Sequence, residues 1–280
     1  MQDKVAIART FSRAAKHYDE AAFVQKEIGQ RLLERCQWLK AHPASILNLG
    51  SACGRFTQAL QNVYPKAQII GLDAAFGMSQ VALKKLPKKT YKTFLKKTPS
   101  FICADMEILP FRSHTFDLVV SNCTFEWSRA LPSLFLELKR VLKDKGSLLF
   151  TTAGPDTLFE LAHSAYSVDG QYHVNAFLDM HDIGDILLKA GWCDPVMDRE
   201  LMTITYSSVQ ALLSDIKKSG STYLFQKLNP SFQGKRWIAE LIAEYDQFKI
   251  DNTMYPASVE IIYGYACKNT KDIPTQIRMV

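Results

Sequence analysis

The feature that most restricts the fold is a short apolar run that stops abruptly in small residues: Ser45-Ile-Leu-Asn-Leu-Gly-Ser-Ala-Cys-Gly-Arg-Phe-Thr57. Ile46 to Leu49 has the length and branched apolar content of a buried strand. After Gly54 the spacing changes to that of an amphipathic helix, Phe56 to Val63. A strand that turns through glycines into a helix leaves bare backbone N–H groups facing whatever lies at its end. Twenty-three residues after Gly50, a second apolar run, Ala67 to Leu72, ends on Asp73. An acid at the carboxyl end of the next strand suits the two hydroxyls of a ribose. Together these features predict a parallel sheet with a nucleoside-containing ligand at its edge. The loop reads Gly50-x-Ala52-x-Gly54, tighter than the G-x-G-x-x-G of a dinucleotide pyrophosphate loop.

Length and composition narrow the rest. A chain of 280 residues forms one large domain or a core with a smaller cap. No run of eighteen apolar residues occurs, which argues against a membrane span. The start, Met-Gln-Asp-Lys, lacks the apolar stretch of a secretory leader. Six cysteines are scattered without a C-x-x-C pair, as expected for free thiols in a reducing cytoplasm. Six histidines show no ligand spacing, so no metal is expected. Seven of the lysines behind the net charge of +6 fall between Lys84 and Lys97. Such a run is either a solvated surface or a docking face for an acidic partner. Arginines and interleaved aromatics are too sparse there for a nucleic-acid site.

Along the chain, Val5, Ile7, Ala8, Phe11 and Ala15 share one helical face, and Ala22, Val24, Ile28, Leu32 and Leu33 another. These helices precede the first strand and are expected to cover the ligand edge, with Tyr18 and His17 as candidates to face it. A helix through Met78 to Leu83 is stopped by Pro87. The next strand, Ser100 to Ala104, ends in Asp105-Met106-Glu107, an acid for an adenine amino group and an apolar neighbour for its ring. Thr115 to Asn122 is a fourth strand, introduced by Phe116-Asp117 and ending at Ser121-Asn122. A helix over Leu131–Leu142, a tight turn Lys143-Asp-Lys-Gly146 and a fifth strand, Ser147 to Thr152, follow. Further on come a helix from Ile183 to Ala190, a strand from Met202 to Tyr206, helices over Val209–Lys217 and Trp237–Phe248, and a last strand, Ser258 to Ala266.

In that order, Leu-Asn-Leu-Gly-x-Ala-x-Gly54, Leu-Asp73, Ala-Asp105-Met-Glu-x-Leu-Pro-Phe111, Phe-Asp117-Leu-Val-Val-Ser-Asn122 and Val-Leu-Lys-x-x-Gly146 resemble the class I S-adenosylmethionine-dependent methyltransferases. The flanks are more particular. Arg9-Thr-Phe-Ser-Arg-Ala-Ala-x-x-Tyr-Asp19, Gly154-Pro-Asp-Thr-Leu-Phe-Glu-Leu161, His173-Val-Asn-Ala-Phe177, Asp179-Met-His-Asp-Ile-Gly184 and Ala190-Gly-Trp-Cys-Asp-Pro-Val-Met-Asp198 resemble the malonyl-acyl-carrier-protein O-methyltransferases of biotin synthesis. The similarity spans about residue 5 to Lys268.

The resemblance implies a Rossmann-like, seven-stranded α/β sheet with an antiparallel last strand and a helical cap. It implies a helical lid over 1–40, a cofactor-binding core over 41–206, a cap insertion over 207–256, the last core strand over 257–268 and a tail over 269–280. S-adenosylmethionine would be held by Asn48, Gly50, Ala52, Gly54, Asp73, Asp105, Met106 and Asn122. Tyr18 would act on the substrate side, with Glu126 and Trp127 as neighbours. The implied partner is a malonyl-loaded acyl carrier protein, engaged by Lys84–Lys97, and the implied place is the cytoplasm. The acceptor carboxylate is already a nucleophile and needs no general base. A bidentate arginine is its natural recogniser, and no single arginine stands out.

Two positions depart from the family pattern. Asn48 stands where an acid is usual, and Ala52 stands at the middle glycine, where a positive φ would cost about 1 kcal/mol. Two other readings therefore remain open: a relative of the complex I assembly factors linked to protein-arginine hydroxylation, and a non-catalytic module that binds the cofactor or a partner.

Overall fold

The computed structural model of the chain describes residues 2–39, 42–86, 97–226, 228 and 234–269. Within them lies one seven-stranded sheet, made of β1 (Ser45–Leu49), β2 (Gln68–Asp73), β3 (Ser100–Cys103), β4 (Phe116–Ser121), β5 (Leu142–Ala153), β6 (Cys193–Tyr206) and β7 (Tyr255–Cys267). The strand order is β3-β2-β1-β4-β5-β7-β6. The first five strands are parallel, and β7 runs antiparallel between β5 and β6. The chain winds outward from β1 through β2 to β3, then restarts on the other side with β4. That reversal opens a crevice at the carboxyl ends of β1 and β4, where a sheet of this kind receives its ligand.

Period-two alternation explains how the sheet holds its layers. Leu47, Val119, Phe150 and Ile262 point to one face, under α6 (Leu131–Val141) and α8 (Met180–Lys189). Their neighbours Ile46, Leu118, Leu149 and Ile261 point to the other, under α3 (Phe23–Trp38) and α4 (Arg55–Val63). Buried on both faces, the central strands read as continuous apolar runs. A separate apolar cluster joins α7 (Phe159–Asp169), α9 (Val209–Ser219) and α10 (Lys235–Tyr245) beyond β5 and β7.

Two short helices complete the amino-terminal end: α1 (Gln2–Ala14) and α2 (Tyr18–Ala21). α1 packs against α5 (Phe76–Lys85) so closely that Gly77 faces the backbone of Ser12, and the Gly77 N–H donates to the Ser12 hydroxyl at 3.2 Å. Lys85 pairs with Asp19 at the far end of the same seam.

Two expectations change. The stretch Lys143–Gly146 is not a free turn but part of β5, where the pairing with β4 slips between Phe116 and Leu118. Lys145 takes φ 61°, and its N–H donates to the carbonyl of Lys268, just past the end of β7, so the excursion is held from there. The strand expected at Met202–Tyr206 begins at Cys193, because it pairs with β7 along almost its whole length. The expectations for Lys84–Lys97 and for 269–280 lie mostly outside the described residues.

Close packing between β5 and β7 gives a direct check. A Cβ on Gly264 would sit 2.1 Å from the buried Phe150 ring. Gly264→Ala is expected to lower the unfolding free energy by roughly 1–3 kcal/mol in urea titrations. Adding Phe150→Leu should recover part of that loss; equal stability of Gly264→Ala and the parent would refute the packing.

Candidate active site

The loop after β1 is fastened to the end of β2 by three successive contacts. Gly50 and Ser51 donate their N–H groups to the Leu72 carbonyl at 2.8 and 2.9 Å, and Ala52 donates to Asp73 Oδ2 at 2.8 Å. The other carboxylate oxygen of Asp73 accepts from the Ala75 N–H at 2.8 Å. Burial raises this carboxyl to about 6 even though both N–H groups pull the other way. Ala52 does take a positive φ, 43°, the conformation its place in the loop suggested. Gly54, at φ 79°, starts α4, and a Cβ there would meet the Phe101 ring at 2.7 Å.

A cavity of about 360 Å³ opens over this loop. Its walls include Gly50, Ala52, Asp73, Asp105, Met106 and Asn122, with Tyr18 on the side of the amino-terminal helices. The structure thus gathers seven of the nine residues singled out from sequence around one space. The other two stand behind it. Asn48 is buried beneath the loop, its Nδ2 donating to Thr57 Oγ1 at 2.7 Å and its Oδ1 without a protein partner. Gly54 shapes the turn without lining the cavity.

The apolar face of α1, expected from sequence to cover the ligand edge, forms the roof of this cavity through Val5, Ile7, Ala8 and Phe11. Phe11 meets Trp127 edge to face with ring centres 5.2 Å apart. Lys4 closes the roof by donating to Asp105 Oδ2 at 2.7 Å and pairing with Glu107 at 2.5 Å. Burial alone would raise the Glu107 carboxyl, but Lys4 and the Ser128 hydroxyl hold it below the usual range. Lys4 was missed because a cation near a helix start carries no pattern; only the fold brings it to Asp105.

Tyr18 and Asn122 stand between this cavity and a smaller one of about 220 Å³ beneath α3. Asn122 is fixed there, its Nδ2 donating to the Gln25 carbonyl at 2.9 Å and its Oδ1 accepting from Thr151 at 2.9 Å. Burial pushes the Tyr18 phenol well above its ordinary range, and Cys123 and Asp73 add to the effect. It is therefore a neutral hydroxyl at any working pH.

A third cavity, about 600 Å³, lies on the other side of the 3-10 turn Phe125–Trp127. Thr152 at the end of β5, Asn175, Phe177 and Phe225 help to line it, as do Glu126 from the turn and Arg129 just after it. Glu126 accepts from Thr152 Oγ1 at 3.1 Å, and burial raises its carboxyl to about 7. Among the described residues no group of three or more His, Cys, Asp or Glu side chains is placed to hold a metal ion. No helix of the described residues is long and apolar enough to cross a membrane.

Comparison with known proteins decides the family. A family model described as a methyltransferase domain matches residues 47–150. Malonyl-acyl-carrier-protein O-methyltransferases from Gallionella capsiferriformans and Legionella pneumophila are each 42% identical over 266 residues, 95% of this chain and 91% of theirs. The chain belongs to the malonyl-acyl-carrier-protein O-methyltransferase family. Solved structures bear out the fold: the YcgJ protein of Bacillus subtilis has a TM-score of 0.61 at 16% identity, over 86% of this chain and all of that one. A SAM-dependent methyltransferase from Thermotoga maritima reaches 0.55 at 14%, over 94% and 100%. As a member of the family the chain is a methyltransferase, and its cofactor is S-adenosylmethionine.

The state of Glu126 yields a stability test. Its folded-state carboxyl titrates near 7, above the ordinary 4.5, so the folded form favours the proton. That contribution is present below about pH 4.5 and is lost as pH rises through 7. Glu126→Gln is expected to stabilise the chain by roughly 1–3 kcal/mol at pH 8 and far less at pH 5, measured by urea unfolding at both. A gain that does not depend on pH would contradict the assignment.

Proposed function

We propose that this chain transfers a methyl group to the free carboxylate of a malonyl thioester carried by an acyl carrier protein, forming its methyl ester. The observation that carries the reading is the half-buried Asp73 carboxylate at the wall of the 360 Å³ cavity, taken with family membership. Each Asp73 oxygen accepts one backbone N–H and keeps a lone pair for a further donor, which suits the two hydroxyls of a ribose. Leu72, Ala104 and Met106 offer an apolar flank for the adenine, with Asp105 beside them. Gly50, Ala52 and Asn122 lie towards the methionine end. Bound there, S-adenosylmethionine supplies an electrophilic methyl group. Asn48 acts through Thr57 and the loop, so the missing acid need not abolish binding.

The rest of the chemistry asks the chain for placement rather than acid–base work. A carboxylate is ionised at neutral pH and attacks without a base. Tyr18 is placed to donate a hydrogen bond to the acceptor without ever competing with it as an anion. The roof of α1, held by Lys4, and the Phe11–Trp127 contact keep water from the reacting groups. Residues 1–40 therefore act as the lid and 207–256 as the cap of the acceptor side. Relatives across most of the chain carry the malonyl-acyl-carrier-protein methyltransferase name, which does not favour the arginine-hydroxylase or non-catalytic alternatives. The lysines of 84–97 remain the proposed contact with the acidic carrier, in a cytoplasmic step of biotin synthesis.

Incubation of malonyl-carrier protein with the chain and S-adenosylmethionine should add one methylene mass, read by intact-protein mass spectrometry; an unmodified carrier would defeat the proposal. Asp73→Ala should weaken binding of S-adenosylhomocysteine by roughly 1–3 kcal/mol in calorimetry. Because the ribose hydroxyls favour ionised Asp73, affinity should decline as pH falls through about 6, approaching tenfold per pH unit, and Asp73→Asn should remove that slope. A parent protein whose affinity is flat from pH 5 to 7 would place the ribose elsewhere.

A further inference from the structure

The 600 Å³ cavity has an arginine at its mouth. Its floor is largely apolar and aromatic, and among the described residues that line it Arg129 is the only cation. The guanidinium lies over the Phe225 ring, 4.9 Å from its centre, and 3.6 Å from the carboxylate of Asp3. Asp3 belongs to α1, and its other oxygen accepts from the Tyr223 hydroxyl at 2.7 Å. Asn175 holds the neighbouring segment by donating to the Tyr223 carbonyl at 2.8 Å and accepting from the Phe225 N–H at 2.9 Å.

Arg129 thus sits on a fixed aromatic platform, with more than half of its side chain exposed and one long contact to a carboxylate. At 3.6 Å that contact is an ion pair without good hydrogen-bond geometry, and an exposed pair of this kind contributes little. A planar guanidinium held on a ring is well suited to take a carboxylate or phosphate through paired hydrogen bonds. The cavity shares the wall 125–129 with the cofactor cavity, which Trp127 lines from the other side. A malonyl-phosphopantetheine acceptor brings two anionic groups, the malonyl carboxylate at one end and the phosphodiester at the other.

We propose that Arg129 is the anion-recognition residue of the acceptor cavity, and that an anionic group of the incoming acyl-phosphopantetheine displaces Asp3 from it. This rests on the reading of the acceptor as a malonyl thioester. Asp3 is then a competing internal carboxylate, and its release frees the start of α1 at the moment the acceptor enters. Among the described residues that line the cavity, the other ionisable side chain is Glu126, which accepts from Thr152.

The test uses the full chain saturated with S-adenosylhomocysteine and four probes: malonyl- and acetyl-pantetheine, each with and without the 4′-phosphate. Binding is read by calorimetry for the parent, Arg129→Ala, Arg129→Lys and Asp3→Asn. If Arg129 reads the carboxylate, Arg129→Ala loses the malonyl-over-acetyl preference, by about 10- to 100-fold. If it reads the phosphate, the loss falls on the phosphorylated-over-dephosphorylated preference instead. Either result supports the proposal, with Arg129→Lys retaining part of the preference. Asp3→Asn should tighten the anionic probes several-fold and leave acetyl-pantetheine unchanged. Arg129→Ala with both preferences intact overturns the assignment, and Asp3→Asn without effect overturns the displacement. Affinity for S-adenosylhomocysteine, unchanged in every variant, reports that the fold is preserved. A parent that binds the anionic probes through Arg129 but never adds a methyl group would sink the proposed reaction alone. Methylation at an unchanged KM by Arg129→Ala would sink this inference alone.

Discussion

The structure depends on one half-buried carboxylate, that of Asp73. β1 and β2 pair in parallel up to Leu49 and Leu72, and there the two chains must part, one into a turn and one into α5. The parting strands would leave N–H groups unsatisfied in a site screened from water, at a cost of about 1–3 kcal/mol each. The Leu72 carbonyl takes two of them and Asp73 takes two more, from both diverging chains. Asp73 therefore acts as a rivet for the crevice, whatever its carboxylate meets in the cavity. Its raised titration point measures the tension between that role and its desolvation. The carboxylate is screened from water for the sake of the cavity and kept ionised only by the backbone around it.

That rivet also explains why alanine is tolerated at position 52. The strain of a positive φ is about 1 kcal/mol, and the hydrogen bond from the Ala52 N–H to a charged acceptor is worth at least as much. Glycine is indispensable two residues later for a different reason, since Gly54 has both a positive φ and the Phe101 ring against it. Positions in one loop thus obey different constraints, and a motif of small residues conflates them.

What was legible in the sequence follows from this distinction. The strands read at 46–49, 67–72 and 115–122 announce themselves because both their faces are buried, and the acids at 73 and 105 because strand ends carry them to one edge. Period-two burial even separates the layers, with Ile46 and Leu47 going to opposite faces. The bulge at Lys143–Gly146 was hidden because its polar residues look like a turn, while its partner, Lys268, lies far along the chain. The cavity roof was legible in its apolar stripe and its place before the first strand, whereas the polar tie that closes it, Lys4 to Asp105, was not. Asn48 marks the limit of motif position: its side chain turns inward to Thr57 rather than lining the cavity.

Polar contacts of long range leave no periodic trace at all. Lys4 reaches Asp105 across 101 positions, and Tyr223 reaches Asp3 across 220. These ties join the very first helix to the wall of the 360 Å³ cavity and to the mouth of the 600 Å³ cavity at once. Their partners differ in strength in a way that matters. Lys4 is held by two carboxylates, one of them also hydrogen-bonded to Ser128, whereas Arg129 has a single distant one. A lid fastened firmly over the cofactor and loosely over the acceptor would let the second substrate enter without releasing the first. Such an order of events is what a transfer reaction needs when water must be kept from an activated methyl group.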